Sequence, residues 1–213
     1  MGSDSRRHER PRHRVFTDTF RIGATTVTRR EYGRFLEATG HDEPRGWDER
    51  AFSAADQPVV GVSWLDAVAF CEWLSRSAGG SYRLPTEAEW EKAARGGAEG
   101  VTYSWGNDLP ETIAYYQGDW TAPRPVGERP PNGYGLYNMG DNVHEWCQDW
   151  YAAGYYGKAP PDNPCGPSHG TRRVSRGGSW RHAVKVSRVA QRSSLPPSYR
   201  YTDYGFRIVW DAD

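Results

Sequence analysis

The sequence is short of three things: cysteine, net charge and long apolar runs. Lysine plus arginine number 27, and so do aspartate plus glutamate, so no global field draws the chain to nucleic acid or an anionic membrane. Any binding must come from a shaped site. No stretch approaches the roughly 20 apolar residues of a membrane span, and Met1-Gly2-Ser3-Asp4-Ser5-Arg6-Arg7 lacks the apolar core of a secretory signal. A soluble protein is expected. The three cysteines, Cys71, Cys147 and Cys165, are too few and scattered for a disulfide framework and form no CxxC zinc pattern, which makes a reducing cytoplasm the expected location.

What is plentiful is Trp, Tyr, Gly and Pro. Large aromatics each bury about 150–250 Å² and can supply a core where regular secondary structure is sparse. The length suits one sizeable domain. Residues 1–14 hold five arginines, two histidines and almost nothing apolar. The first ten are therefore expected as a flexible basic tail, ahead of a single domain over residues 11–213. A nucleic-acid arm is the sharper alternative, but the segment has no interleaved aromatics.

Three helices declare themselves at their N-termini. Thr28-x-x-Glu31 is a capping box, followed by Tyr32, Phe35 and Leu36 on one face and a stop at Gly40. Ser63-x-x-Asp66 opens a second, with Ala67, Phe70, Cys71 and Leu74 at helical spacing, so Cys71 reads as a small core residue. In Pro85-Thr86-Glu87-Ala88-Glu89-Trp90-Glu91, Thr86 caps and Glu89 completes the box. Glu87, Glu89 and Glu91 read as first-turn acids that suit the helix dipole, in preference to a carboxylate cluster for metal or acid–base work. Beyond residue 97 short apolar segments alternate with Gly, Pro, Asn and Asp, which predicts short strands near 16–22, 172–175 and 205–210 between long ordered loops.

Several segments together resemble one family, the formylglycine-generating enzymes or sulfatase-modifying factors. They include Pro58-Val59-Val60-Gly61-Val62-Ser63-Trp64, Arg83-Leu84-Pro85-Thr86-Glu87-Ala88-Glu89-Trp90-Glu91, Asn132-Gly133-Tyr134-Gly135-Leu136-Tyr137-Asn138-Met139, Asn142-Val143-His144-Glu145-Trp146, Arg176-Gly177-Gly178-Ser179-Trp180 and Gly205-Phe206-Arg207. The resemblance implies an α+β, loop-rich fold of the C-type-lectin-like kind. Met1-Gly2-Ser3-Asp4 resembles a family segment that follows a first strand, so an exposed or partner-covered sheet edge is expected. By resemblance, a structural calcium ion would be held by Asn138 and Glu145 side chains and by the carbonyls of Asp141 and Val143, a set of hard oxygen donors. The alternative there is a hydrogen-bonded turn without metal. A second family calcium site does not carry over, since its Asn aligns with Tyr115.

The departure from the family comes after Ser179. Its oxidases bind copper(I) there through two cysteines and oxidise a substrate cysteine with dioxygen. Here the first position is His182, and no cysteine follows as far as Arg188. Formylglycine generation by that route is not expected, unless Cys147 and Cys165 meet in space. What remains is a groove expected from Ser179, Trp180, Arg181, His182, Arg192, Pro196, Pro197, Tyr199, Arg200, Tyr201, Asp203 and Tyr204. Tyrosine and tryptophan offer rigid amphipathic area and arginine offers forked recognition, which suits a peptide, protein or small-molecule ligand. Trp180, Arg192 and Arg207 are expected to pin loops, and Tyr199 to Tyr204 to be exposed. The tyrosine-rich stretch is also similar to the variable proteins of diversity-generating retroelements, which present a ligand-display surface. The second function considered is a non-thiol oxidoreductase with iron or copper held by His144, His182 and either Asp203 or Glu145.

Overall fold

In the computed structural model, which describes residues 1–109, 121–183 and 186–211, all three capping boxes form. Helix α1 spans Arg29–Thr39, α2 Trp64–Ala78 and α3 Glu87–Arg95. In each, the cap hydroxyl accepts from the N3 backbone N–H and the N3 carboxylate accepts from the cap N–H. Gly40 and Gly96 take the left-handed conformation that ends α1 and α3.

Among the described residues the strands build two small sheets. The first joins β1 (Phe20–Ile22), β2 (Tyr82–Arg83) and β7 (Val209–Asp211) in the order β1-β7-β2. The second joins β3 (His144–Trp150), β4 (Arg173–Arg176), β5 (Arg192–Leu195) and β6 (Tyr204–Gly205) in the order β5-β4-β3-β6, with β3 and β6 parallel. The strand expected over 205–210 is thus split between the sheets. Phe206 and Arg207 sit at the crossing, both wholly buried, and Arg207 turns inward to Glu145. That ion pair takes the chain out of one ladder before it enters the next.

Strand β3 is buried on both faces, and its period of two sorts the core. Trp146 joins Tyr32, Phe35, Phe70, Tyr204 and Phe206 in an aromatic cluster beneath α1 and α2. Cys147, one residue on, packs with Trp90, Met139 and Val174 against α3. The indole N–H of Trp146 donates to Val62 O at 3.0 Å and that of Trp64 to Cys147 O at 2.9 Å, fixing the start of α2 against β3. Cys71 faces the aromatic cluster as its spacing predicts.

Two expectations are corrected. The first ten residues are docked on the domain: Gly2 N donates to Glu91 Oε1 at 2.8 Å, and wholly buried Glu9 pairs with Arg188. Charge pairing holds a segment whose composition has no apolar reason to fold back. The reading of Glu87 and Glu91 as first-turn acids is incomplete: Glu87 does stand in the first turn, but both are wholly buried partners of Arg176 at 3.1 and 2.6 Å, and Glu87 also binds Arg192 at 2.7 Å. Only Glu89 keeps the capping role. Among the described residues no helix is long and apolar enough to cross a membrane. Tyr115, invoked for the second calcium site, lies outside the described residues.

Candidate functional site

The site is assembled where β4 ends and β6 begins. Gly177 follows β4 with φ +78°, and Gly178 N donates to Gly140 O at 3.0 Å. A Cβ on Gly178 would fall 2.1 Å from Ser187 Oγ, so only glycine lets this turn close. Ser179 is thereby delivered inward, nearly buried, and its hydroxyl donates to Asp203 Oδ2 at 2.8 Å. A tight turn closed by His182 N donating to Ser179 O at 3.0 Å brings the His182 ring back over it.

The other wall comes from strand pairing. His144 opens β3 opposite Tyr204 of β6, and its N–H donates to Asp203 O at 2.9 Å. Parallel pairing therefore places Asp203 beside His144. His182 Nδ1 lies 3.2 Å from His144 Nε2, 3.0 Å from Ser179 Oγ and 3.9 Å from Asp203 Oδ2. The ligand atoms of His144, His182 and Asp203 all lie within 4.8 Å of one another.

Ser179 gives its single hydroxyl proton to Asp203, and both the Ser179 oxygen and His144 Nε2 stand within hydrogen-bond distance of His182 Nδ1. Burial pushes His144 down to about 4, partly opposed by the Asp203 charge and reinforced by His182, so it is a neutral imidazole at pH 7. The order carboxylate, hydroxyl, imidazole is not that of a nucleophilic triad, in which the imidazole stands between the other two.

The remaining expected groove residues divide. Arg181 and His182 are about half exposed, with side-chain exposures of 49% and 51%, and Tyr199 and Tyr201 are exposed, with ring centroids 6.0 Å apart. Trp180 is a loop pin, its indole N–H donating to Thr202 O at 3.3 Å and its ring 6.1 Å from Phe52. Arg192 and Arg207 are pins too, paired with Glu87 and Glu145. Pro196 and Pro197 contribute carbonyls, which accept from Tyr199 N and Trp64 N.

Two residues expected at the groove are engaged elsewhere. Arg200 forms a forked pair with Asp66 at 2.6 and 2.8 Å, sharing Oδ2 with the Ser63 cap and Oδ1 with His41. Tyr204 is buried between His144 and Trp146, since its β6 position faces the aromatic cluster. His144, read from sequence as a possible partner for His182, does meet it, but its place at the first residue of β3 is visible only in the structure.

The side chains of the expected calcium donors Asn138 and Glu145 already have partners within the protein. Asn138 Nδ2 donates to Asp141 Oδ1 at 3.0 Å, and the Asp141 carboxylate meets the buried guanidinium of Arg129 at 2.7 Å. Both Glu145 oxygens accept from Arg207, at 2.7 and 2.8 Å, and one also from Trp90 Nε1 at 2.7 Å. Val143 is buried and caps the loop through its N–H to Asp141 O at 2.9 Å. Arginine thus neutralises both carboxylates of this loop, and the hydrogen-bonded turn considered as the alternative is satisfied by protein groups.

Thiols are absent from the site. The three cysteines are free, and burial pushes the Cys71 thiol up to about 12 and that of Cys147 well above its ordinary value. Neither is a thiolate at neutral pH. Cys165 is exposed.

Known proteins give the arrangement a context. The formylglycine-generating enzyme of Streptomyces coelicolor is 35% identical over 96% of this chain and 82% of that enzyme. A serine/threonine-protein kinase, pkn1, of Chlamydia pneumoniae is 35% identical over 97% of this chain, which spans only 35% of the kinase's length. The solved structure of Treponema denticola variable protein 1 superposes with a TM-score of 0.85 at 29% identity, covering 99% of this chain and 91% of that one. A family model described as a sulfatase-modifying factor enzyme 1-like domain matches residues 1–212, the docked N-terminal segment included. With that match spanning nearly every residue and the formylglycine-generating enzyme aligned along most of its length, the chain belongs to the sulfatase-modifying factor family.

Proposed function

We propose that this domain is a binding member of the family, taking a peptide segment, or a small molecule of similar chemistry, across the surface of Arg181, His182, Tyr199 and Tyr201 above Asp203. The observation that carries the reading is the division of the tyrosine-rich stretch: Tyr199 and Tyr201 are left exposed, while Arg200 and Tyr204 are committed to the fold. Paired phenols offer contact area at low entropic cost, and Arg181 with Asp203 offers one charge of each sign. Similarity to a variable protein supports the same reading. Thiol oxidation is left without a reagent, since residues 181–188 contain no cysteine.

A synthetic peptide array tests this. Wild-type protein is expected to select a subset of peptides, and a Tyr199→Ala/Tyr201→Ala/Arg181→Ala variant to bind them at least about tenfold more weakly, a loss of ~1.4 kcal/mol. These side chains are exposed, so the variant should melt with the wild type. Selection that survives the triple substitution would remove the groove from the account. In parallel, a cysteine-containing peptide incubated with the protein, copper and dioxygen is expected to yield no aldehyde; aldehyde would restore the oxidase reading.

A further inference from the structure

We infer that His144 Nε2, His182 Nδ1 and an Asp203 carboxylate oxygen form a binding site for a divalent transition metal of the zinc or iron(II) type. Bonds of about 2.0–2.2 Å to such an ion put neighbouring tetrahedral ligands roughly 3.4 Å apart. The two imidazole nitrogens are already at 3.2 Å, and His182 Nδ1 is 3.9 Å from Asp203 Oδ2. His182 is half exposed, so rotation of its ring adjusts both edges at once. The other two donors belong to the framework, because His144 N binds Asp203 O at 2.9 Å across the parallel strand pair.

The surroundings suit a metal ligand set. Ser179 Oγ donates to Asp203 Oδ2 at 2.8 Å and so orients the carboxylate, the task of an outer-shell hydrogen bond. Two neutral nitrogens with one carboxylate favour borderline divalent ions; calcium asks for an all-oxygen shell and copper(I) for sulfur. Three protein ligands with the His182 side facing solvent leave coordination positions open toward the groove, as in sites that bind and polarise a ligand. The iron or copper of the alternative sequence reading overlaps this choice at iron(II). The metal would share His182 and Asp203 with the proposed binding surface, but its titration reads the ion alone and so fails or succeeds separately from peptide selection.

The test uses tag-free full chain, stripped with a chelator and dialysed. Titration with Zn²⁺ by calorimetry and with Co²⁺ by visible absorption is expected to give one ion per chain, with the intense bands of a low-coordinate cobalt–nitrogen site. His182→Ala should weaken binding at least about tenfold, and Ser179→Ala by about 10–100-fold through the outer shell. His169→Ala, at an exposed histidine outside the cluster, should bind as wild type does. Because His182 is exposed, its variant should keep the wild-type melting temperature; Asp203→Asn provides a second probe. No stoichiometric binding, or equal affinity in His182→Ala, would mean that the three residues are a hydrogen-bonded cluster only.

Discussion

Glu87→Gln probes the deepest commitment of this fold. Glu87 Oε1 accepts from Arg192 Nε at 2.7 Å and Arg176 Nη1 at 3.1 Å, and its Oε2 from Arg192 Nη2 at 2.8 Å. All three side chains are buried, Arg176 completely. The substitution keeps shape and removes charge, leaving two buried guanidinium ions with Glu91 as the nearest remaining carboxylate on Arg176. Removing one partner of a buried pair costs about 3–5 kcal/mol. At about 2–4 °C per kcal/mol for a protein of this size, the melting temperature should fall by about 6–20 °C at pH 7, measured by circular dichroism or calorimetry. Acidity supplies a second reading. Burial pushes the Glu87 carboxyl up, but Arg192 and Arg176 outweigh it and hold the group below its ordinary 4.5. The unfolded chain therefore takes up the proton first, so this contribution is present above about pH 4.5 and is lost as pH falls through the folded value. The gap between wild type and variant should close on acidification. A fall under about 2 °C at neutral pH would refute the claim that this network carries a large share of stability.

Asp149 is expected to behave with the opposite sign. Burial, then the Glu87 charge, push its carboxyl up to about 8, against the pull of the Glu87 backbone N–H. The unfolded chain ionises near 3.8 while the folded chain keeps the proton, so rising pH penalises folding across the window from about 4 to 8. Asp149→Asn cannot titrate, and its melting temperature minus that of wild type should grow through that window; a flat difference would contradict the burial argument. Millimolar calcium added to dialysed protein should move the melting temperature by less than about 1 °C, because Arg129 and Arg207 already neutralise Asp141 and Glu145. A rise of several degrees would show that the oxygen donors reorganise into a calcium cage.

Local rules were legible wherever the interaction closes within a few residues. Thr28, Ser63 and Thr86 each cap as their spacing implies, because a capping box needs only the residue three positions on. The same rule places Glu87 in the first turn of its helix but is blind to its ion pairs, because Arg176 and Arg192 lie 89 and 105 residues away. Composition likewise made residues 1–10 a tail, since a charged segment has no visible reason to dock until Arg188 and Glu91 are brought to it. For Tyr199 to Tyr204 the aromatic count could not tell exposed Tyr201 from buried Tyr204; the direction of one short strand does.

The sequence by itself determined the family, the three helix starts and the absence of cysteine between Ser179 and Arg188, because each is carried by contiguous residues. Tertiary structure decided which side chains gather around Ser179. His144 and His182 are 38 positions apart, and Ser179 and Asp203 are 24 apart. The four meet only because β6 runs parallel to β3 and a pair of glycines turns the chain back beneath them. No periodicity encodes a parallel pairing between distant strands, so this convergence of imidazole and carboxylate could be found only in the folded chain.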